Sequence, residues 1–261
     1  MEEDVVRVVS KSFTVAHIMT PWEYVYKCNI DDSPSEVLKV MEDKNYDVVP
    51  VVKNDVPVGF VRRDKLKDVG SIVEALEEFN LDHFISRDTQ INVALELLLK
   101  RDFLFVLGDS SIVGIVTKAD LGKRAVTVFF YSMLSILETE FARMIRKEVP
   151  NPLANLREDR RKKILNQIKK GRVENVDLEV LEYFYLKDLV NVIIENKGLI
   201  EKLGYRSREE VERSFDRLIE IRNRIAHPVR RLVTCDDDIK MLKEGYNDIQ
   251  RLFSKLRRET R

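Results

Sequence analysis

Two stretches of this 261-residue chain repeat one another, and the repetition limits what its first half can become. The segment Ser33 to Leu66 ends VPVVKNDVPVGFVRRDKL. It parallels Thr89 to Leu121, which ends FLFVLGDSSIVGIVTKADL, with Gly59 and Gly114 at the same place in each. Each copy predicts helix, strand, turn, strand. In the first, Ser33 and Glu36 have capping-box spacing around Pro34, and Val37, Leu38, Val40 and Met41 supply an apolar face. The β-branched run VVPVV follows, then the turn Lys53-Asn54-Asp55 and the strand Val58 to Val61. In the second, Thr89 is the expected cap and Val93, Ala94, Leu97 and Leu98 the helical face; the strands are Phe103 to Leu107 and Ile112 to Val116.

Charge separates this half from the rest. Residues 1–121 hold 14 Lys and Arg against 22 Asp and Glu, a net −8, whereas residues 122–261 hold 31 against 23, a net +8. The basic half suits a phosphate backbone or an acidic partner, and solvated helix faces would account for it equally well. Cys28 and Cys235 are the only cysteines and form no metal-binding pair, so neither a disulfide framework nor a metal is expected. The acidic start at Glu2, Glu3 and Asp4 is unlike a signal peptide, and the apolar runs read as shorter than the roughly 20 residues that span a bilayer. The expectation is a cytoplasmic protein with no membrane association.

From Gly122 the period changes to about 3.6. Val126, Phe129, Phe130, Met133, Leu134, Leu137 and Phe141 stripe one helix, which Pro150-Asn151-Pro152 stops. Further helices are predicted over Asn155 to about Lys170, over Leu178 to Asn196, from the capping box Ser207/Glu210, and from Asp236 onward. The fold class is therefore α+β, with a repeated α/β module over residues 1–121 (repeats at about 12–68 and 71–121) and an all-α bundle over 122–261.

The repeats, with the opening HIMTPWEYVYKCNIDDSPSEVL, resemble the cystathionine-β-synthase (CBS) domain, whose tandem pairs form one module and commonly bind adenosine-containing ligands such as AMP, ADP, ATP or S-adenosylmethionine. The second repeat keeps that family's ending as Gly114-Ile115-Val116-Thr117-Lys118-Ala119-Asp120. A carboxylate at Asp120 can accept from ribose hydroxyls, the Thr117 hydroxyl can reach a ribose or phosphate, and Gly114 lets the chain turn closely. The first repeat has Arg62 and Lys65 at the Thr117 and Asp120 positions and cannot hold ribose that way. The resemblance implies that Thr20, Tyr46 and Asp47, together with Met19, provide base contacts at the Asp120 site, with Arg101 toward any phosphates. Capping of the following helix is the alternative role for Asp120.

In the helical half, RNRIAH at residues 222–227 places Arg222 within an apolar stripe of Val211, Phe215, Leu218 and Ile225, with Asn223 and His227 one turn apart on its flank. Pro228 is expected to end or kink the helix at His227. With the flanking LIEIRNRIAHPV and YFYLKDLV, the motif resembles the HEPN superfamily (higher eukaryotes and prokaryotes nucleotide-binding), many of whose members are ribonucleases that join two motifs across a dimer cleft. The resemblance implies His227 as acid or base, Arg222 as the stabiliser of phosphorane charge and Asn223 as an orienting group, without metal. An ion pair of Arg222 with Asp188 or Glu182, and a purely terminating His227, form the structural alternative. His17, His83, Trp22 and the cluster Tyr183, Phe184, Tyr185 read as structural. The functional expectation is an adenosine-nucleotide sensor regulating a homodimeric endoribonuclease that acts on RNA. The alternative is a catalytically silent regulator whose bundle dimerises or holds a partner.

Overall fold

The computed structural model describes residues 2–175, 178–227, 229 and 231–258. They form two compact units, Thr14–Asp120 and the combination of Met1–Phe13 with Leu121–Arg261. The division departs from the sequence boundary at the start of the chain. Helix α1 (Glu2–Ser12) packs with the other helices, where the Phe13 ring lies 5.9 Å from Phe129 and Ser10 hydrogen-bonds Tyr246.

The first unit is built twice from one plan. After β1 (Thr20–Pro21), the first copy runs β2 (Cys28–Asn29), α2 (Pro34–Lys44), β3 (Val48–Lys53), β4 (Val56–Arg62) and the short α3 (Ile72–Ala75). The second runs β5 (Phe84–Ser86), α4 (Ile91–Leu98), β6 (Phe103–Leu107) and β7 (Ile112–Thr117). The sheets are ordered β2-β3-β4 and β1-β7-β6-β5, each with one parallel pair and an antiparallel hairpin. Asn54 and Asp55 both have positive φ, the two-residue turn whose twist suits a tight hairpin. Even the register slips match, at Val51/Val52 and at Val106/Leu107.

Two expected caps do not form. Ser33 starts α2 ahead of Pro34, but its hydroxyl bonds Ser35 rather than the helix. Gln90, not Thr89, precedes α4. Packing holds both helices instead: Val37 and Met41 are buried with Cys28, Val49, Val51 and Val61, and Ile91, Ala94, Leu95 and Leu98 are sealed on α4. Alternate residues of β6 face opposite ways, and both sets are buried. Phe103 and Phe105 join Phe60 and Ile115 in an aromatic cluster shared by the two copies, ringed by Trp22, Val25, Val48, Phe79, Phe84 and Ile112.

The second unit is helical. Its centre is α5 (Arg124–Glu148), whose stripe from Val126 to Ile145 packs against α7 (Leu186–Ile194), α9 (Arg208–Ala226) and α10 (Asp236–Arg258). By length and composition α5 could cross a membrane, contrary to the sequence reading; its apolar face is taken up by these helices. The expected second helix starts at Glu158 rather than Asn155 and runs on to Val173, and the third is shorter than drawn. A 3-10 turn, Pro152–Asn155, precedes α6 (Glu158–Val173), and another, Val180–Tyr183, precedes α7, after which α8 (Lys197–Lys202) begins anew. Ser207 does cap α9, accepting from the Glu210 N–H. Arg206, rather than Ser207, donates its backbone N–H to the Glu210 carboxylate. Both cysteines are free, Cys28 buried and Cys235 exposed.

Candidate functional site

The end of β7 assembles part of the expected ribose site. Thr117 donates both its backbone N–H (2.7 Å) and its hydroxyl (3.0 Å) to Asp120 Oδ2, so the chain folds back on itself there. Asp120 is 7% exposed. The helix that follows, α5, is preceded by Lys123 and a 3-10 turn over Lys118–Gly122, so Asp120 ties down the strand end rather than capping α5. Gly114 sits in mid-strand, not in a turn. A Cβ there would lie 2.5 Å from the Thr20 carbonyl oxygen and 3.1 Å from Met19 Sδ, so its smallness lets β1 lie along β7 with Thr20 opposite Ile115. Thr20 and Met19 are thus brought against the Gly114 strand.

The remaining residues of the expected site have partners of their own. Tyr46 stacks on Tyr26 with centroids 6.4 Å apart. Asp47 pairs with Arg63, and its neighbour Val48 packs in the aromatic cluster with Trp22 and Ile115. Arg101 stands just before β6, whose Phe103 pairs with Thr117 at the end of β7. It pairs with Asp82 at 2.8 Å and lies close enough to His83 to depress that imidazole.

The first repeat presents its own version of the site, already filled. Gly59 admits the Glu77 carbonyl as Gly114 admits that of Thr20, and Phe60 and Glu77 exchange two backbone hydrogen bonds. Arg62, at the Thr117 position, lies 5.6 Å above the Phe60 ring and 5.0 Å above Phe103, and pairs with Glu77 at 3.2 Å. The His83 ring meets Phe60 edge-on at 4.8 Å. Its pKa is lowered by burial first and by Arg62 next. A surface depression lined by Phe79, Asn80, Leu81, Asp82 and Phe84 opens beside this cluster. Sequence reasoning flagged Arg62 and Lys65 as departures; Glu77 and His83 had no signal until the strand pairing of Glu77 revealed the symmetry.

In the helical unit, α9 ends at Ala226, and His227 is its C-cap, exposed, its N–H bonded to the Arg224 carbonyl. Pro228 lies outside the described residues. The buried face of α9 is Val211, Ser214, Phe215, Leu218 and Ile221. Arg222 is therefore at the edge of the stripe rather than on it, half-buried, with Asn223 exposed beside it. The expected ion pairs do not form. Asp188 instead holds Arg160 through contacts of 3.0 and 2.7 Å, and Glu182 accepts the Glu179 N–H.

Arg222 lies over the Tyr185 ring at 5.7 Å and within electrostatic reach of Glu138 on α5. Burial raises the Glu138 pKa, while Arg222 and the Leu186 backbone N–H oppose that rise. Arg160 lies over Tyr185 as well, at 4.7 Å. Tyr185 also donates its backbone N–H to Asp188 at 2.9 Å. The start of α7 is thereby fixed among α5, α6 and α9, and the edge arginine is held by an aromatic ring and a carboxylate. Among the described residues no cluster of His, Cys, Asp and Glu suits a metal.

The CBS-domain family model matches residues 15–80. Among solved structures, CBSX2 from Arabidopsis thaliana in complex with AMP is 23% identical, covering 44% of this chain and 98% of that one at a TM-score of 0.39. The CBS domain of a bacterial CNNM/CorC-family Mg2+ transporter in complex with ATP is 18% identical, covering 48% and 98% at 0.39. A conserved CBS-domain protein of unknown function from Thermoplasma acidophilum is 17% identical, covering 46% and 75% at 0.36. No curated protein matches the chain. The family match thus covers the first repeat as a CBS domain; the second repeat has the same order of elements, and a helical region follows.

Proposed function

We propose that the CBS pair senses an adenosine nucleotide at the Asp120 site and regulates a metal-independent, HEPN-type endoribonuclease formed by the helical unit. The sensor reading is supported by the convergence of Thr117 and Asp120 at the end of β7, the strand whose Ile115 pairs with Thr20 of β1. Ribose hydroxyls would donate to the carboxylate that now accepts from Thr117. The first-repeat site, occupied by Arg62 and Glu77, would take no nucleotide.

The observation that carries the nuclease reading is the exposure of His227 at the end of α9, one turn from exposed Asn223 and five residues beyond half-buried Arg222. An imidazole at a helix rim can exchange protons with a 2′-hydroxyl or a leaving oxygen, and a guanidinium steadied by Tyr185 can meet the charge that builds on phosphorus. One chain offers one such histidine. A homodimer joining two motifs in one cleft supplies both acid and base. Asp120 lies in the 3-10 turn directly before α5, so the signal would travel along the chain into the central helix of the bundle.

Two measurements test this. Mixed RNA incubated with the protein in chelator should be cut, and His227→Ala should lower the rate roughly 10²- to 10⁴-fold. Equal cutting by the variant rejects the mechanism, and absence of cutting by either protein leaves the helical unit a binding module. Calorimetric titration with AMP, ADP, ATP and S-adenosylmethionine should show one nucleotide per chain, weakened roughly 10- to 100-fold by Asp120→Ala. Equal heats for both proteins reject the sugar site.

A further inference from the structure

Tyr183, Phe184 and Tyr185 look alike in the sequence, but the structure treats them differently. Phe184 is buried, whereas Tyr185 is 56% exposed. This exposed ring lies against two guanidinium groups, Arg160 at 4.7 Å and Arg222 at 5.7 Å. Both arginines are held: Arg160 by Asp188 and the Tyr183 carbonyl, Arg222 on the edge of α9 by its neighbours Glu138 and Tyr185. The ring is therefore pre-positioned, and a flat ligand stacking on it loses little side-chain entropy.

Helix α6 extends the feature. Its sequence EDRRKKILNQIKKGRV carries seven cationic residues after two acidic ones. Arg160, Lys163, Gln167 and Lys170 follow at i, i+3, i+7 and i+10, which puts them along one helix edge over about 15 Å. Lys163, Gln167 and Lys170 are exposed. Among the described residues Lys163 and Lys170 have no carboxylate partner, unlike Lys162, which pairs with Glu158. Two lysines without a carboxylate partner among the described residues, in line with Arg160 and a stacking ring beside Arg222, are the combination that single-stranded nucleic acid requires, with charge to follow the backbone and a π-face for a base.

We infer that Tyr185, flanked by Arg160 and Arg222 and continued by Lys163 and Lys170, is the docking surface for single-stranded RNA. A base stacks on the tyrosine ring and the adjoining phosphates follow the edge of α6. The inference deepens the nuclease reading by naming where the substrate lies, and it stands or falls on binding rather than on cutting.

The test uses the full-length protein and a fluorescent 12-nucleotide 2′-O-methyl RNA, which lacks the hydroxyl needed for cleavage, with binding read by anisotropy across a salt series. Tyr185→Ala should weaken binding roughly 5- to 100-fold, while Tyr185→Phe, which keeps the π-face, should bind as the native chain does. Lys163→Gln and Lys170→Gln should each lower the slope of log K against log salt by about 0.7. Equal affinity in Tyr185→Ala overturns the inference. So does loss in Tyr185→Phe matching that in Tyr185→Ala, or tighter binding of a duplex or of poly-glutamate than of the single strand. Unchanged melting of each variant shows that folding is not the cause. Because binding is read on an uncleavable probe, a docking surface without catalysis and catalysis without this docking surface give different results.

Discussion

At Gly114 the absence of one methyl group decides whether two strands can meet. The Thr20 carbonyl lies where an alanine Cβ would stand, 2.5 Å away, and it is backbone that cannot swing aside. Gly114→Ala is expected to cost about 1–3 kcal/mol and to loosen β1 from β7, with nucleotide affinity falling alongside. Urea unfolding and the calorimetric titration check both effects. Gly198 near the start of α8 has nothing within 4 Å of its would-be Cβ, so Gly198→Ala should leave stability unchanged or raise it by up to about 1 kcal/mol. The glycine at residue 114 was legible in the sequence as part of a motif, but its physical purpose was misread. A motif shows which residue stands where, and only the neighbouring strand shows what that residue must avoid.

Among the elements, α10 has the most strongly determined start. Asp238, in its first turn and 6% exposed, accepts from the Thr234 N–H and hydroxyl at 2.7 and 2.6 Å and from the Cys235 N–H at 3.3 Å, and pairs with Arg224 of α9. Burial alone would raise its pKa. The bonds from Thr234 and Arg224 outweigh that penalty and hold it well below the usual carboxylate range. A depressed folded pKa adds stability that is complete above the unfolded aspartate value of about 3.9 and is lost as pH falls below it. Asp238→Asn should therefore lower stability at neutral pH and flatten the decline in acid, a difference visible in melting curves recorded between pH 7 and pH 3. The three aspartates at residues 236–238 marked this helix start from sequence alone, because acidic residues favour the positive end of the helix dipole. That the third one also clamps the preceding segment to α9 depended on Arg224, fourteen residues earlier in the chain.

At the scale of the whole molecule, the pseudo-twofold module should bind one nucleotide and not two, since the position equivalent to Thr117 is occupied by Arg62 packed over Phe60 and Phe103. Nucleotide at about one hundred times its Kd should add roughly 2.7 kcal/mol to the unit containing Asp120. In a calorimetric scan this appears as a rise in the transition of that unit, cut to roughly 0.4–1.4 kcal/mol in Asp120→Ala at the same nucleotide concentration. An equal rise in the variant would place the ligand elsewhere.

Local rules reached far into this fold. The repeated helix-strand-turn-strand plan, the tight turn at Asn54-Asp55, the central helical stripe of α5 and the Ser207 cap of α9 all follow from spacing between residues close in the chain, and that is why the sequence alone determined them. What only the tertiary structure decided are the partnerships between distant residues. Arg222 looked like a charge stranded on an apolar stripe or an ion-pair partner for Asp188. Packing turned it to the helix edge beside Tyr185 and Glu138 and gave Asp188 to Arg160. Arg101 paired with Asp82 beside His83, and α1 left its neighbours in sequence to join α5. Periodicity records which face of an element avoids water. Which other face it meets there is set by close packing among elements far apart in the chain, and no local spacing encodes that choice.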